Sequence, residues 1–159
     1  MAGYSGTPLA KKLGIKAGSK VLLVGEPDGY LKLLEPLPEG VEFVSRLSES
    51  TDVIHFFSVL KTELEKALTT YRTKIKPTAV VWVSWPKKAA KVPTDITEDT
   101  VRDVALPLGY VDIKVCAVND VWSGLKLVGR RHICGWCLLV FRCQNASHCV
   151  VSLRNKARM

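Results

Sequence analysis

The sequence predicts a single α/β domain with a mostly parallel sheet, helices on both faces and a C-terminal antiparallel hairpin. Two short apolar runs, Val21–Val24 and Val53–Phe57, lack the polar alternation of half-exposed strands and therefore predict strands buried on both faces. Segments with helical spacing separate these runs, and strands that alternate with helices form parallel sheets through right-handed crossovers. Near the end, Val111–Val118 and Ser123–Val128 are close enough in sequence to pair as an antiparallel hairpin.

The segment Ala79-Val-Val-Trp-Val-Ser-Trp-Pro-Lys-Lys88 predicts a buried central strand that opens into a basic loop. A further strand is predicted at Val41–Leu47, where apolar and polar residues alternate. The predicted helices begin near Thr7, Asp28, Lys61 and Asp95 and end near Gly14, Leu34, Ile75 and Leu106. The last of them has a capping-box pattern, with Asp95 as the cap and Glu98 three residues later.

The length of 159 residues fits one domain. The apolar runs fall short of the roughly 18 residues that a membrane-spanning helix needs. The first residues, Met-Ala-Gly-Tyr-Ser-Gly-Thr-Pro, lack the basic start and apolar core of a secretory signal. A cytoplasmic protein with no membrane partner is therefore expected.

The formal net charge of +8 is concentrated at the C-terminal end. Six of the 23 basic residues follow Gly129 without any acidic residue, which leaves 17 basic and 15 acidic residues before it. The first 128 residues are therefore close to neutral, and a nucleic-acid partner is not expected for this part of the chain. Nucleic-acid binding through the basic tail remains an alternative.

Cysteines are also crowded at this end, at Cys134, Cys137, Cys143 and Cys149. A Cys-x-x-Cys pair with two further ligands could form a tetrahedral zinc site, but the spacing matches no standard finger or ribbon. The segment has no acidic residue and no clear period. We interpret residues 1–131 as the domain and residues 132–159 as an atypical tail that is either disordered or an artefact of a frame change or read-through. No metal site is expected in this tail, and a zinc site is the alternative.

Ligands of open α/β sheets bind outside the carboxyl ends of the strands. On the predicted strands, those ends carry an aromatic and cationic rim that could hold a small anion or a planar ligand. Its candidate binding residues are Arg46, Trp85, Lys87, Lys88, Asp120 and Trp122. Asp120 is placed to pair with Lys87. For the Trp85–Lys88 corner itself, the preferred interpretation is that Trp85 packs under the hairpin and the lysines are simply solvated.

The run from Leu13 to Gly25 resembles the approach to the first strand of Rossmann-like methyltransferases. Those enzymes continue with a glycine-rich turn, whereas this chain has Gly25-Glu-Pro-Asp-Gly29. Proline removes an amide donor and the two carboxylates repel phosphate. No cofactor is established by this pattern; S-adenosylmethionine held by Gly25 and Gly29 is an alternative to two glycines that only form turns.

Residue patterns for catalysis are scarce. His55 lies inside an apolar strand and is interpreted as a hydrogen-bonded core histidine rather than a general base. No Gly-x-Ser-x-Gly or Walker-type loop is present in the sequence. Whether the protein is an enzyme is left open, with a non-catalytic role preferred.

The chain resembles a bacterial family catalogued as a domain of unknown function. The resemblance rests on these segments: Gly3-Tyr-Ser-Gly-Thr-Pro-Leu-Ala-Lys-Lys-Leu-Gly-Ile-Lys16, Trp82-Val-Ser-Trp-Pro-Lys87, Pro93-Thr-Asp-Ile-Thr-Glu98, Val111–Asp120 and Trp122–Val128. It implies a small Rossmann-like, methyltransferase-like α/β domain and brings no established activity.

Two functions follow as hypotheses. The first is a non-catalytic module that binds a small ligand or a protein partner at the rim. The second is a divergent S-adenosylmethionine-dependent enzyme that resembles methyltransferases and uses the same rim.

Overall fold

The computed structural model describes residues 6–130. The helices and strands of this range are α1 (Leu9–Leu13), β1 (Lys20–Val24), α2 (Tyr30–Leu33), β2 (Glu42–Val44), β3 (Val53–Phe57), α3 (Lys61–Lys74), β4 (Val80–Pro86), a 3₁₀ turn (Lys88–Ala90), α4 (Glu98–Ala105), β5 (Tyr110–Ala117) and β6 (Trp122–Gly129). None of these helices is long and apolar enough to cross a membrane. The predicted tail, the domain boundary at residue 131 and the four-cysteine zinc alternative lie outside the described residues.

All six strands form one sheet in the order β2-β1-β3-β4-β6-β5. The first four strands are parallel, whereas β6 runs antiparallel to β4 and pairs with β5 as an antiparallel hairpin. The predicted fold class is confirmed. Because β1 lies between β2 and β3, the strand order reverses there, and the carboxyl ends of β1 and β3 flank the topological switch point.

Each face of the sheet packs against its own pair of helices. On one face, Val81, Val83 and Trp85 join residues of α3 and α4 in a buried cluster. On the other face, Trp82 joins residues of α1 and α2. The two-residue period of β4 places its side chains alternately on these faces, and both are covered. This double burial explains why the strand lacks polar alternation.

Strand β2 is shorter than predicted, because only Glu42–Val44 pairs with β1. It is an edge strand, and its Phe43 is 41% exposed. The alternation of apolar and polar residues predicted the presence of this strand correctly, but it did not predict how many of its residues pair with β1.

The helix caps differ from those predicted. Thr97, and not Asp95, is the N-cap of α4, and its hydroxyl accepts a hydrogen bond from the Thr100 amide at 3.2 Å. The carboxylate of Asp95 instead accepts from the amide of Lys61 at 2.7 Å, so it caps the first turn of α3 from a distant loop. Helix α2 begins at Tyr30, after Gly29 and without a side-chain cap, so Asp28, where the helix was predicted to begin, does not cap it.

Replacing Trp82 by Ala should lower the free energy of unfolding by about 3–5 kcal/mol. The Trp82 side chain is fully buried, and its indole N–H donates to the Leu13 carbonyl at 2.8 Å, which fixes α1 to the sheet. Urea unfolding of the variant measures the loss. Leu60→Ala serves as control, since Leu60 is 47% exposed. If the Trp82 and Leu60 variants had equal free energies of unfolding, the burial of Trp82 in the core on β4 would be contradicted.

Candidate functional site

The switch point is bordered by the exposed loop Gly25–Gly29, which follows β1. Gly25 and Gly29 both have left-handed backbone conformations, with φ of 70° and 74°. Glu26 and Asp28 project from the same turn, and both are exposed. The loop therefore presents two carboxylates at the place where ligands of open α/β sheets bind.

Gly25 is required by the packing of the two strands. A Cβ atom at this position would lie 2.7 Å from the carbonyl oxygen of Phe57, the last residue of β3. At Gly29 a Cβ atom would meet nothing within 4 Å, so only the backbone conformation favours glycine there. The interpretation of both glycines as turn formers thus has a physical basis, and the surface beside Gly29 is open.

A buried line of hydrogen bonds holds this loop to the sheet. The Tyr30 hydroxyl lies 2.5 Å from His55 Nδ1, and His55 Nε2 lies 2.6 Å from Ser84 Oγ. Burial lowers the pKa of His55 to about 3 and raises the pKa of Tyr30. His55 is therefore neutral near pH 7. The prediction of a hydrogen-bonded core histidine is confirmed.

Aromatic rings surround this line on the α1–α2 face. The Phe57 ring stacks on His55 with centroids 4.2 Å apart, and its edge contacts Tyr30 at 4.9 Å. Trp122 packs against Phe57 with centroids 5.2 Å apart. Trp122 thus belongs to the aromatic group of this face and is absent from the lining of the cavity beside Trp85.

A cavity of about 530 Å³ lies on the opposite face, beyond the end of β4. Its lining includes three of the predicted rim residues: Trp85, Lys87 and Lys88. The rest of the lining comes mainly from the start of α4 and from the hairpin, and includes Val92, Thr94, Ile96, Thr97, Glu98, Asp99, Val115 and Ser123. The lining of this cavity by the start of α4 and by the hairpin was not predicted from the sequence. The capping pattern at residues 95–98 could have indicated the contribution of α4, because it places the start of a helix directly after the basic loop.

Lys87 holds the hairpin in place. Its Nζ donates to the carbonyl of Asn119 at 2.7 Å, and its amide donates to the carbonyl of Val121, also at 2.7 Å. The predicted ion pair with Asp120 is wrong, because the lysine bonds to the loop backbone instead. Asp120 is also absent from the cavity lining.

Arg46 follows β2 and is likewise absent from the cavity lining. Strand β2 is separated from β4 by β1 and β3, which amounts to about 14 Å at ordinary strand spacing. Of the six predicted rim residues, three therefore share one cavity and the other three lie elsewhere.

Charges of both signs lie at this cavity. Glu98 is partly neutralised by Arg102, whose Nη2 lies 2.5 Å from Glu98 Oε1. Arg102 also donates from Nε to Asp112 at 2.9 Å. Arg102 Nη1 also lies 3.7 Å from Asp99, whose side chain is 90% exposed, and Lys88 lines the same cavity. The cavity thus combines the apolar wall of Trp85 with Lys88 and with two carboxylates, Glu98 and Asp99, that both lie near Arg102. Within residues 6–130, no group of three or more His, Cys, Asp or Glu side chains is arranged to hold a metal ion.

Comparison with known proteins supports the fold. No protein-family model matches the chain, and no curated protein matches it. Among solved structures, a putative type 11 methyltransferase from Sulfolobus solfataricus aligns with a TM-score of 0.55 and 15% identity, covering 79% of this chain and 92% of the other. A SAM-dependent methyltransferase from Aquifex aeolicus aligns with a TM-score of 0.54 and 18% identity, covering 75% and 86%.

A third structure, magnesium protoporphyrin IX methyltransferase from Synechocystis PCC 6803 with bound SAH, has a TM-score of 0.53 and 13% identity and covers 76% of this chain and 79% of that protein. At such identities these likenesses establish a Rossmann-like methyltransferase fold and no more. The resemblance to the bacterial family of unknown function stays a prediction.

Because His55 is buried in its uncharged form, the protein should be less stable in mild acid than at neutral pH. The unfolded chain takes up a proton at His55 near pH 6.5, whereas the folded chain does not until pH falls to about 3. The histidine therefore contributes a loss of stability as pH falls from about 6.5 towards 3. Urea unfolding of the wild type and of His55→Gln at pH 7.5 and pH 5 measures it. The variant should be less stable at both values but lose less between them; equal losses would contradict the burial of a neutral imidazole.

Proposed function

We propose that the chain is a methyltransferase-like domain that binds S-adenosylmethionine at the loop Gly25–Gly29 and a methyl acceptor in the cavity beside Trp85. The observation that carries this proposal is the position of an exposed acidic loop at the switch point of a Rossmann-like sheet. In such sheets the switch point is where nucleotide-like ligands bind.

The charge of the loop selects among such ligands. Glu26 and Asp28 disfavour the phosphates of a dinucleotide, because like charges repel. S-adenosylmethionine has no phosphate, and its sulfonium and amino groups are positively charged. Carboxylates can attract these cations and accept hydrogen bonds from ribose hydroxyls. When bound, this cofactor supplies an electrophilic methyl group.

The cavity and the loop both lie at the carboxyl-end edge of the sheet. Strands β1 and β4 are separated only by β3, which is about 10 Å at ordinary strand spacing, and β4 extends beyond the level of Val24 because Val83, not Pro86, is aligned with it. A volume of about 530 Å³ suits a small molecule. Trp85 offers an apolar planar wall, and Lys88 offers a cation. These features favour an acceptor that is planar and carries an anionic group.

A second candidate function is a binding module without catalysis, in which only the cavity is used by a small ligand or a protein segment. It is favoured by the close approach of the Phe57 carbonyl to Gly25, which leaves no room for even a Cβ atom on that side of the loop. Pro27 also removes one amide donor from the turn. Nucleic-acid binding through residues 132–159 stays a prediction.

Calorimetric titration of S-adenosylmethionine into the full chain separates the two functions. We expect binding, and we expect Glu26→Gln combined with Asp28→Asn to weaken it by roughly tenfold or more, since hydrogen bonds to charged groups are lost. Glu39→Gln combined with Asp103→Asn is the matched control, because it removes the same two charges at exposed positions elsewhere.

Absence of heat at millimolar cofactor would overturn the methyltransferase proposal and leave the binding module. Equal weakening by the control pair would also count against it, because general charge rather than the loop would then explain the affinity.

A further inference from the structure

The hairpin carries two lysines directly opposite each other. Lys114 of β5 pairs in register with Lys126 of β6, on the face that α1 covers. Lys114 Nζ lies 6.0 Å from the centre of the Trp82 ring. Lys126 Nζ lies beside the end of α1, where a Cβ atom at Gly14 would be 3.6 Å from it. Both ammonium groups therefore lie on the sheet face opposite to the Trp85 cavity.

A β-bulge turns Lys114 to this face. Asp112 pairs with Leu127 and Lys114 with the adjacent Lys126, so two steps along β5 match one step along β6. Without the bulge, Lys114 would share the face of Asp112, which binds Arg102 on α4. Bulges of this kind re-aim side chains and are common beside functional sites.

The arrangement is unfavourable for the folded chain by itself. Like charges directly opposite on paired strands are destabilising. None of the ion pairs found within residues 6–130 includes Lys114, Lys126 or the nearby Lys16. Burial, followed by the charges of Lys114 and Lys16, lowers the pKa of Lys126. In natural proteins, locally unfavourable arrangements such as two opposed lysines are concentrated at functional sites.

We propose that Lys16, Lys114 and Lys126 form a binding site for the phosphate groups of a small di- or triphosphate. Opposite residues of paired strands are about 5 Å apart at Cα, so the positive charge is compact rather than spread along a stripe. Each ammonium group offers three donors, and lysine is a common phosphate ligand. A compact cluster suits a short polyphosphate better than an extended nucleic acid. This site is independent of the acidic loop and of the cavity.

Sodium tripolyphosphate is the probe, titrated calorimetrically into the full chain at moderate salt. Lys114→Gln combined with Lys126→Gln should weaken binding by about tenfold or more, because two charge-assisted contacts are lost. The matched control, Lys66→Gln combined with Lys74→Gln, removes the same charge from exposed positions on α3 and should change affinity by less than about twofold. Urea unfolding checks that both double variants are folded. If the variant with Lys114→Gln and Lys126→Gln does not fold, Lys16→Gln is used as a milder variant of the same site.

Selective weakening by the cluster variants would support the site. No binding of tripolyphosphate by the wild type, or equal weakening by the control pair, would overturn it. Oligothymidylates of increasing length are the second probe. Affinity that rises steadily with their length and exceeds that for tripolyphosphate would show a nucleic-acid surface and overturn the proposal of a small polyphosphate.

Discussion

The buried hydrogen-bond line from Tyr30 through His55 to Ser84 connects the parts of the domain on which a ligand site depends. It starts at the first residue of α2, directly after the acidic loop, and crosses β3 to reach β4. Polar groups in a core are costly unless they are bonded, so these three side chains specify one arrangement. The hairpin approaches the same line closely, because a Cβ atom at Gly124 would lie 3.0 Å from Ser84 Oγ. The loop, the central strands and the hairpin are thus held by one set of contacts.

The succession of strands and helices along the chain, and their burial, could be predicted from the sequence to a large extent. Runs such as Val53–Phe57 have apolar or bonded residues at every position, and this pattern is expected when both faces of a sheet are covered. The long amphipathic helix α3 buries Leu64, Leu68 and Tyr71 at helical spacing, as expected. These are local properties of the chain, which is why sequence patterns report them.

The composition of the site could not be predicted in the same way, because it depends on register between distant strands. Trp85 pairs with Ser123, and Pro86 pairs with Trp122. Since side chains alternate between faces, this register places Trp85 and Trp122 on opposite sides of the sheet. Asp95 illustrates the same limit, because its helix partner is at Lys61 and not in its own sequence neighbourhood. Sequence position suggested that Trp85 and Trp122 share one site, but strand pairing places them on opposite faces. Conversely, Asp95 and Lys61 are far apart in sequence but are joined by a hydrogen bond.

Hydrogen exchange measured by mass spectrometry, with and without S-adenosylmethionine, tests most directly whether the acidic loop is the cofactor site. The proposed function predicts slower exchange in the segment 24–31, because a bound ligand would cover the exposed turn and stabilise its connection to Tyr30. Protection confined to residues 85–99 would contradict it, since the ligand would then occupy the cavity without contacting the loop.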